Sequence, residues 1–363
     1  MNIKTLLHTT TCGGILMAAL AATAAEPTEK AYIALEGEGR IAVFDTHARQ
    51  VIRQIDLTET QAGQPVTFAP HNVQVAPDGQ SVWVTANRQG HDSHHAEASA
   101  DAAALDQVIV IDPATDTIRH RIGIAPMAHL SHVVVTPDGR TAFVNAQNQQ
   151  RIYRIDTGSL AIQGFTGVKG QGPHGIRLSP DGSQGYVAML EGAALGILDT
   201  QSGGIRHVPL GGAAVQAGVT PDGRTALASV YDTRRLAIVD VASQALSFAE
   251  LPAAAKGPLQ LYPTPDSRYV YLADQGFYYD QPVGDTVYKI DLAARQVIKA
   301  IPVGQAPHGV VVAADGGLVY ITNLVSSDLS VIDTATDREV ARIPVGREPN
   351  GISLWSVTAG GTP

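Results

Sequence analysis

Gly172–Leu210 reads GPHGIRLSPDGSQGYVAMLEGAALGILDTQSGGIRHVPL, and near-copies of it fill almost everything after the first thirty residues. It opens on Pro-His-Gly, passes through Pro180-Asp181-Gly182, and closes its third apolar run at Leu198-Asp199. Gln305–Val345, QAPHGVVVAADGGLVYITNLVSSDLSVIDTATDREVARIPV, is a clear sibling. A unit of roughly 40 residues that reads as four short strands separated by turn signals is the sequence signature of a propeller blade.

Two markers count the blades. An apolar residue followed by Asp recurs at Phe44-Asp45, Ile111-Asp112, Ile155-Asp156, Leu198-Asp199, Val239-Asp240, Ile290-Asp291 and Ile332-Asp333; Asp there can bond the backbone two residues on and open a turn. Pro-Asp-Gly or a variant recurs at Pro77, Pro137, Pro180, Pro221, Pro265 and Ala314, where Pro presets the turn and Gly accepts positive φ. Seven of one and six of the other means that the chain enters in mid-blade. The first copy, Lys30 to Leu57, lacks an inner strand, and Asn350-Gly351-Ile352-Ser353-Leu354 supplies only that strand. The expectation is an all-β, seven-bladed β-propeller, its ring closed by the C-terminal strand joining the N-terminal blade so that no sheet edge is left bare.

The flanks and totals narrow the function. Lys4, the apolar run Gly13–Ala22 and the small residues around Ala24 read as a secretory signal over residues 1–25. That leaves 26–363 as a single propeller domain, expected to be periplasmic or secreted and monomeric, with no run long enough to span a membrane. A formal charge of −9 argues against nucleic acid as a partner. Cys12, the only cysteine, lies within the signal, so the mature chain has no thiol. Disulfides, thiolate zinc sites, iron–sulfur clusters and c-type haem attachment are excluded.

Strand b of the repeat carries Val82-Trp83-Val84-Thr85-Ala86-Asn87 and Val319-Tyr320-Ile321-Thr322-Asn323. At these residues the chain resembles the YVTN-repeat propellers and, more broadly, the fold of cytochrome d1-type propeller domains, over residues 29 to about 356. The resemblance implies architecture. Proteins of this shape are variously haem-binding, copper-binding, lactone-hydrolysing or DNA-binding, so function must be argued from the site.

A site should appear where the copies depart from one another. The turn aspartates are 41 to 44 residues apart over four intervals. The spacing stretches at the connection Thr58–Pro70, at Arg88–Leu105 (RQGHDSHHAEASADAAAL), and at the hairpin QGFYYDQPVGD. In an antiparallel four-stranded blade these insertions rise on one face, which also receives the start of every inner strand, and insertions confined to one face mark a binding surface in repeat folds. Counting six residues back from each turn proline places His71, Ser131, His174, Val215, Leu259 and His308 at that start, with Asn350 in the remaining blade and His132 and His129 flanking Ser131.

His71, His174 and His308 are two, three and two blades apart, nearly trigonal about the axis, and three neutral imidazoles with an open position suit Zn²⁺ or copper. His91, His94 and His95, with Asp92, form a His-rich tract in the first insertion that can bring a metal in or cover a site. Ser131 and Val215 break any full ring of histidines. Pro-His-Gly is also ordinary chemistry for a tight link, and Tyr278-Tyr279 is either loop packing or a wall for ligand stacking. His47, His120 and His207 fall in outer strands or turns and receive no role.

The first reading is thus an exported binding protein that holds Zn²⁺, copper or a metal-bearing small ligand. The resemblance adds a haem d1-type cofactor as an alternative, with an axial ligand among His71, His174 and His308. It also implies a lactonase-like or lyase-like enzyme, which would need a carboxylate partner among Asp92, Glu97 and Asp280. The third reading is a scaffold whose upper face docks a periplasmic protein. No nucleophile elbow, zinc-protease helix or phosphate-binding glycine loop appears.

Overall fold

The computed structural model describes residues 28–89 and 105–356. Seven four-stranded antiparallel sheets are arranged as blades, each running from an inner strand a to an outer strand d, with one additional two-stranded ribbon. Blade 4 shows the plan: Pro173–Leu178 (a), Gln184–Met189 (b), Ala194–Asp199 (c) and Ile205–Pro209 (d). In blade 1 the inner strand is Pro349–Ser356, which pairs antiparallel with Glu29–Leu35. The ring is therefore closed by the C-terminal strand, as the two marker counts require. Each inner strand packs against those of the two neighbouring blades, completing the circle.

The apolar core lies between blades rather than on the axis. Alternate residues of adjacent sheets form one buried cluster at each blade–blade junction. Trp83, Val108, Leu130, Val144 and Tyr153 fill the junction of blades 2 and 3, and Phe44, Tyr320, Leu329, Val331 and Ile352 that of blades 7 and 1. The outer strands show the complementary alternation, as in Arg338–Pro344, where exposed and half-buried residues alternate throughout. Turn chemistry follows the sequence pattern. Asp199 Oδ1 accepts from the backbone of Gln201 and Ser202, Asp333 Oδ1 from Thr336, and Asp45 Oδ1 from His47 and Ala48.

The recurrent Thr of V-Y-V-T-N has a structural task that its sequence position alone does not reveal. Thr85 Oγ1 donates to the Ser131 carbonyl of the next blade at 2.9 Å, and Thr322 Oγ1 donates to the Asn350 carbonyl at 2.6 Å. In blade 3 an amide does the same work, Asn145 Nδ2 donating to the His174 carbonyl at 2.7 Å. Each bond fastens the start of one inner strand to the preceding blade. The long connection Thr58–Pro70 contains the ribbon Glu59–Gln61/Gln64–Val66. Arg121 anchors it to blade 2 through an ion pair with Glu59 at 3.4 Å.

A buried charge ties blade 1 to blade 2. Lys30 Nζ, 2% exposed, lies 2.9 Å from Asp116 Oδ1 and donates to the Pro113 carbonyl at 2.7 Å. The Tyr32 hydroxyl donates to the same carboxylate, and Trp355 lies beneath the ammonium at 4.7 Å. Asp116→Ala would leave an unpaired buried ammonium, and a loss of about 3–5 kcal/mol of stability is expected. Denaturant unfolding checks it, with Lys30→Met/Asp116→Ala expected to recover part of the loss because both charges are then gone.

Candidate functional site

Every inner strand carries a bulge at the level singled out by counting back from the turns. In blade 4, Pro173 pairs with Met189 and Ile176 with Val187, three steps on the inner strand against two on its partner. The same shift occurs between Pro258 and Leu261 and between Pro307 and Val310. A bulge re-aims side chains, and here it turns them towards the axis. The glycine after Pro173-His174, and that after the equivalent Pro349-Asn350, is explained by packing rather than by loop flexibility: a Cβ on Gly175 would lie 2.7 Å from the Gln216 Cα, and one on Gly351 would lie 2.9 Å from the Asn72 Cα. The other blades carry Asn72, His132, Gln216 and Gln260 at this register, so the close approach is particular to Gly175, Gly309 and Gly351.

The bulges gather five histidines. The ring of His71 lies 5.6 Å from that of His129, 6.1 Å from His132, 5.5 Å from His174 and 6.4 Å from His308. His132 and His174 are 5.4 Å apart. His71, His129, His174 and His308 line a recess of about 110 Å³ together with Glu36, Tyr278 and an apolar lip of Leu190, Val215 and Leu259. His132 sits behind His71 and His174 and is fully buried. His91, His94 and His95, with Asp92 and Glu97, lie outside the described residues. Asp280 is exposed and takes no part in the recess; the carboxylate there is Glu36.

Hydrogen bonds define what these imidazoles offer. His174 Nδ1 faces the Val215 carbonyl at 2.9 Å. A carbonyl only accepts, so that nitrogen carries the proton and the lone pair of the neutral ring sits on Nε2. His308 Nδ1 faces Gln275 Oε1 at 3.1 Å, with the same consequence. Asn350 Nδ2 donates to Glu36 Oε2 at 2.6 Å and to His71 Nδ1 at 3.2 Å, and Glu36 Oε1 lies 3.7 Å from that nitrogen. The Nε2 atoms of His71 and His308, and both ring nitrogens of His132, are buried with no hydrogen-bond partner among the described residues. Among the described residues no three His, Asp or Glu side chains already converge on one point at ligating distance.

Burial sets the charge state. It is the main cause that holds His308 down at about 3, with the neighbouring His71 adding to it, and burial followed by His174 and Arg177 holds His132 well below the usual imidazole range. Partial burial opposes the charge of Glu36, but its contacts with His71 and Asn350 prevail and keep it ionised down to about 2. A histidine with a depressed folded pKa stabilises the fold above its unfolded value of about 6.5, and loses that contribution as pH falls towards the folded value. The melting temperature is therefore expected to fall steadily between pH 6.5 and 3, with Glu36 adding a further loss below about pH 4. His308→Gln should flatten the upper part of that profile in thermal unfolding followed by circular dichroism.

A larger open cleft of about 560 Å³ adjoins the recess and shares Gln147, Leu190, Tyr231 and Tyr279 with it. The hairpin that supplies its wall is conformationally unusual: Phe277, Tyr279 and Asp280 all have positive φ, a conformation that costs bulky residues energy and is held only by its surroundings. The Tyr231 hydroxyl donates to the Tyr278 carbonyl at 2.8 Å, and Tyr231 and Tyr279 stand edge to face at 5.5 Å. Tyr278 thus faces the recess while Tyr279, 65% exposed, overhangs the cleft.

Glu36, Gln275 and Tyr231 were not legible from sequence. Glu36 occupies a short turn of blade 1, Glu36–Glu38, nine residues before Asp45, the place taken by Gln147, Leu190, Tyr231 and Leu324 in other blades; its pairing with His71 is what the repeat does not reveal. Asn350 could be placed by the register.

Comparison with known proteins agrees with the fold. The family model for YNCE-like beta-propellers matches residues 272–359. Among solved structures, Kuenenia stuttgartiensis hydrazine synthase superposes with a TM-score of 0.65 at 18% identity, covering 80% of this chain and 96% of that one. Dihydro-heme d1 dehydrogenase NirN in complex with DHE gives 0.61 at 14% identity over 93% and 77%. Virginiamycin B lyase from Staphylococcus aureus gives 0.63 at 16% identity over 79% and 91%. No curated protein matches the sequence. At these identities the likeness is one of fold, shared by proteins of unlike activity.

Proposed function

We propose that this propeller is an exported binding protein that holds a metal ion, Zn²⁺ or copper, or a metal-bearing small ligand in the histidine-lined recess. The observation that carries the reading is the pattern of imidazole nitrogens. In His174 and His308 Nδ1–H is held by an oxygen acceptor, the arrangement that orients metal-ligating histidines through their other nitrogen. His71 differs. Its Nδ1 accepts from Asn350, which puts the proton of the neutral ring on Nε2. Ligation through Nε2 therefore requires the other tautomer, with Nδ1–H turned towards Glu36. The Nε2 atoms of His71 and His308 are buried without a partner among the described residues. Leaving such groups unsatisfied costs about 1–3 kcal/mol each, which a ligand would recover.

The His91, His94 and His95 tract is assigned the part of a loading segment, and the N-terminal 25 residues that of a cleaved export signal. Because burial keeps His308 neutral far below neutral pH, protons compete little with a metal at that imidazole. Calorimetric titration of the chelator-stripped full chain with Zn²⁺ and Cu²⁺ is the test. About one tight equivalent and a raised melting temperature are expected. Equal affinity in the His71/His174/His308→Ala triple variant would sink the reading. A haem-type ligand would appear instead as no affinity for free metal and a Soret-band shift on adding the chelate.

The contact of Glu36 with His71 supports a second reading, in which the pair acts as acid and base on a small substrate. Turnover that follows a histidine-like pKa and is lost in Glu36→Gln, without bound metal, would favour it.

A further inference from the structure

The same counting that locates the histidines identifies a second level of the channel. Three residues before each turn proline, or its equivalent, the inner strands present Ser353, Gln74, Val134, Arg177, Gly218, Tyr262 and Val311 in blades 1 to 7. Most of these are small or apolar, and one is an arginine. Arg177 shares its strand, Pro173–Leu178, with His174; three residues of extended chain place it roughly 10 Å further along, towards the lower face.

Among the described residues Arg177 has no counter-ion. Its Nη1 donates to the carbonyl of Ile176 at 2.9 Å, and among the described residues it forms no ion pair and no other hydrogen bond. Burial pushes its guanidinium pKa down, and the phenol of Tyr262 is the neighbour that acts against that. The Tyr262 hydroxyl has no hydrogen-bond partner among the described residues, and one amide N–H of Gln74 is used on the Val75 carbonyl at 3.0 Å. These three side chains, from blades 4, 6 and 2, together line both of two adjoining recesses, of about 230 and 270 Å³. The larger recess includes Glu29, which disfavours an anion. The smaller contains no acidic residue. Its remaining polar side chain, Thr220, is committed to its own turn, donating to Asp222 Oδ1 at 2.6 Å.

We propose that the lower mouth of the channel is a binding site for a small oxyanion, a carboxylate or a phosphate, held by the Arg177 guanidinium with the Tyr262 hydroxyl and the Gln74 amide as additional donors. A guanidinium offers five N–H donors in a planar fork that matches two oxygens of such an anion, and four of the five here lack a protein acceptor. The recess is walled by Leu178, Val219, Leu261 and Pro263, so the pairing would form in a poorly hydrated place where a charge-assisted bond is strong. The site is separate from the histidine recess and does not rest on the metal reading.

Calorimetric titration of the full chain at low ionic strength with inorganic phosphate, sulfate and succinate tests it. Saturable binding of at least one of them at one site per chain is expected, and the preferred anion distinguishes a phosphate from a carboxylate ligand. Arg177→Gln is expected to weaken it by about 10–100-fold, the loss of a charged hydrogen-bonding partner, and Tyr262→Phe by about 3–10-fold, the loss of a neutral one. The His71/His174/His308→Ala variant should bind the anion within about twofold of the parent. If Arg177→Gln does not fold, Arg177→Lys, which keeps the charge and loses the fork, is expected to fall between parent and Tyr262→Phe in specificity and below both in affinity. No saturable binding of any of the three anions by the parent, or affinity within threefold of the parent in the arginine variant, overturns the proposal.

Discussion

Deletion of residues 349–363 is expected to leave a chain that no longer unfolds cooperatively. Pro349–Ser356 is the inner strand of blade 1, paired along Glu29–Leu35 and packed against the inner strands of blades 2 and 7. Its loss bares a strand edge, opens the junction filled by Phe44, Tyr320 and Ile352, and removes the acceptor of Thr322. In an open solenoid the loss of a terminal unit removes one nearest-neighbour contact. In a closed ring it removes the contact between first and last blades as well. A broad, shallow thermal transition is expected, with recovery of a sharp one on adding the 349–363 peptide. A sharp transition within a few degrees of the parent would show that closure contributes little.

The second large effect is expected at His71. Its ring is in contact with those of His129, His132, His174 and His308, and it touches both Glu36 and Asn350. His71→Ala is expected to lower Zn²⁺ or Cu²⁺ affinity by at least about 100-fold, and Glu36→Gln by about 10-fold, the size of effect typical when a ligand's outer partner is altered. His207→Ala, on the exposed outer strand of blade 4, should leave affinity unchanged and serves as the control. Affinity within threefold of the parent in His71→Ala would remove the hub assigned to it. Because Asn350 belongs to the closing strand, ligand binding at His71 should also slow proteolysis at the C-terminal strand.

The histidines were legible because the repeat supplies its own register. Pro-Asp-Gly fixes a ruler in every blade, and His71, His174 and His308 appear at one mark on it. His132 fell one step from that mark, and the bulge accounts for it. The two residues of a bulge face neighbouring directions, so Ser131 donates to the carbonyl of His174 at 2.9 Å while His132 takes the place beside its ring. Glu36 stands at a different mark, nine residues before Asp45, where other blades carry Gln147, Leu190, Tyr231 and Leu324, and that mark says nothing of its partner. It is brought to His71 only because the ring closes beside it.

Sequence alone therefore determined the number of blades, the closing strand, the turn chemistry and the level at which the copies differ. These are local patterns repeated in phase, and each copy is checked by its siblings. The tertiary structure decided what converges at that level. Bulges aim the side chains, the Thr85 and Thr322 tethers fix their height, and closure sets Glu36 and Asn350 against His71. The unpaired Arg177 became visible in the same way. Its lack of a counter-ion among the described residues is a property of all seven inner strands together, which no single repeat contains.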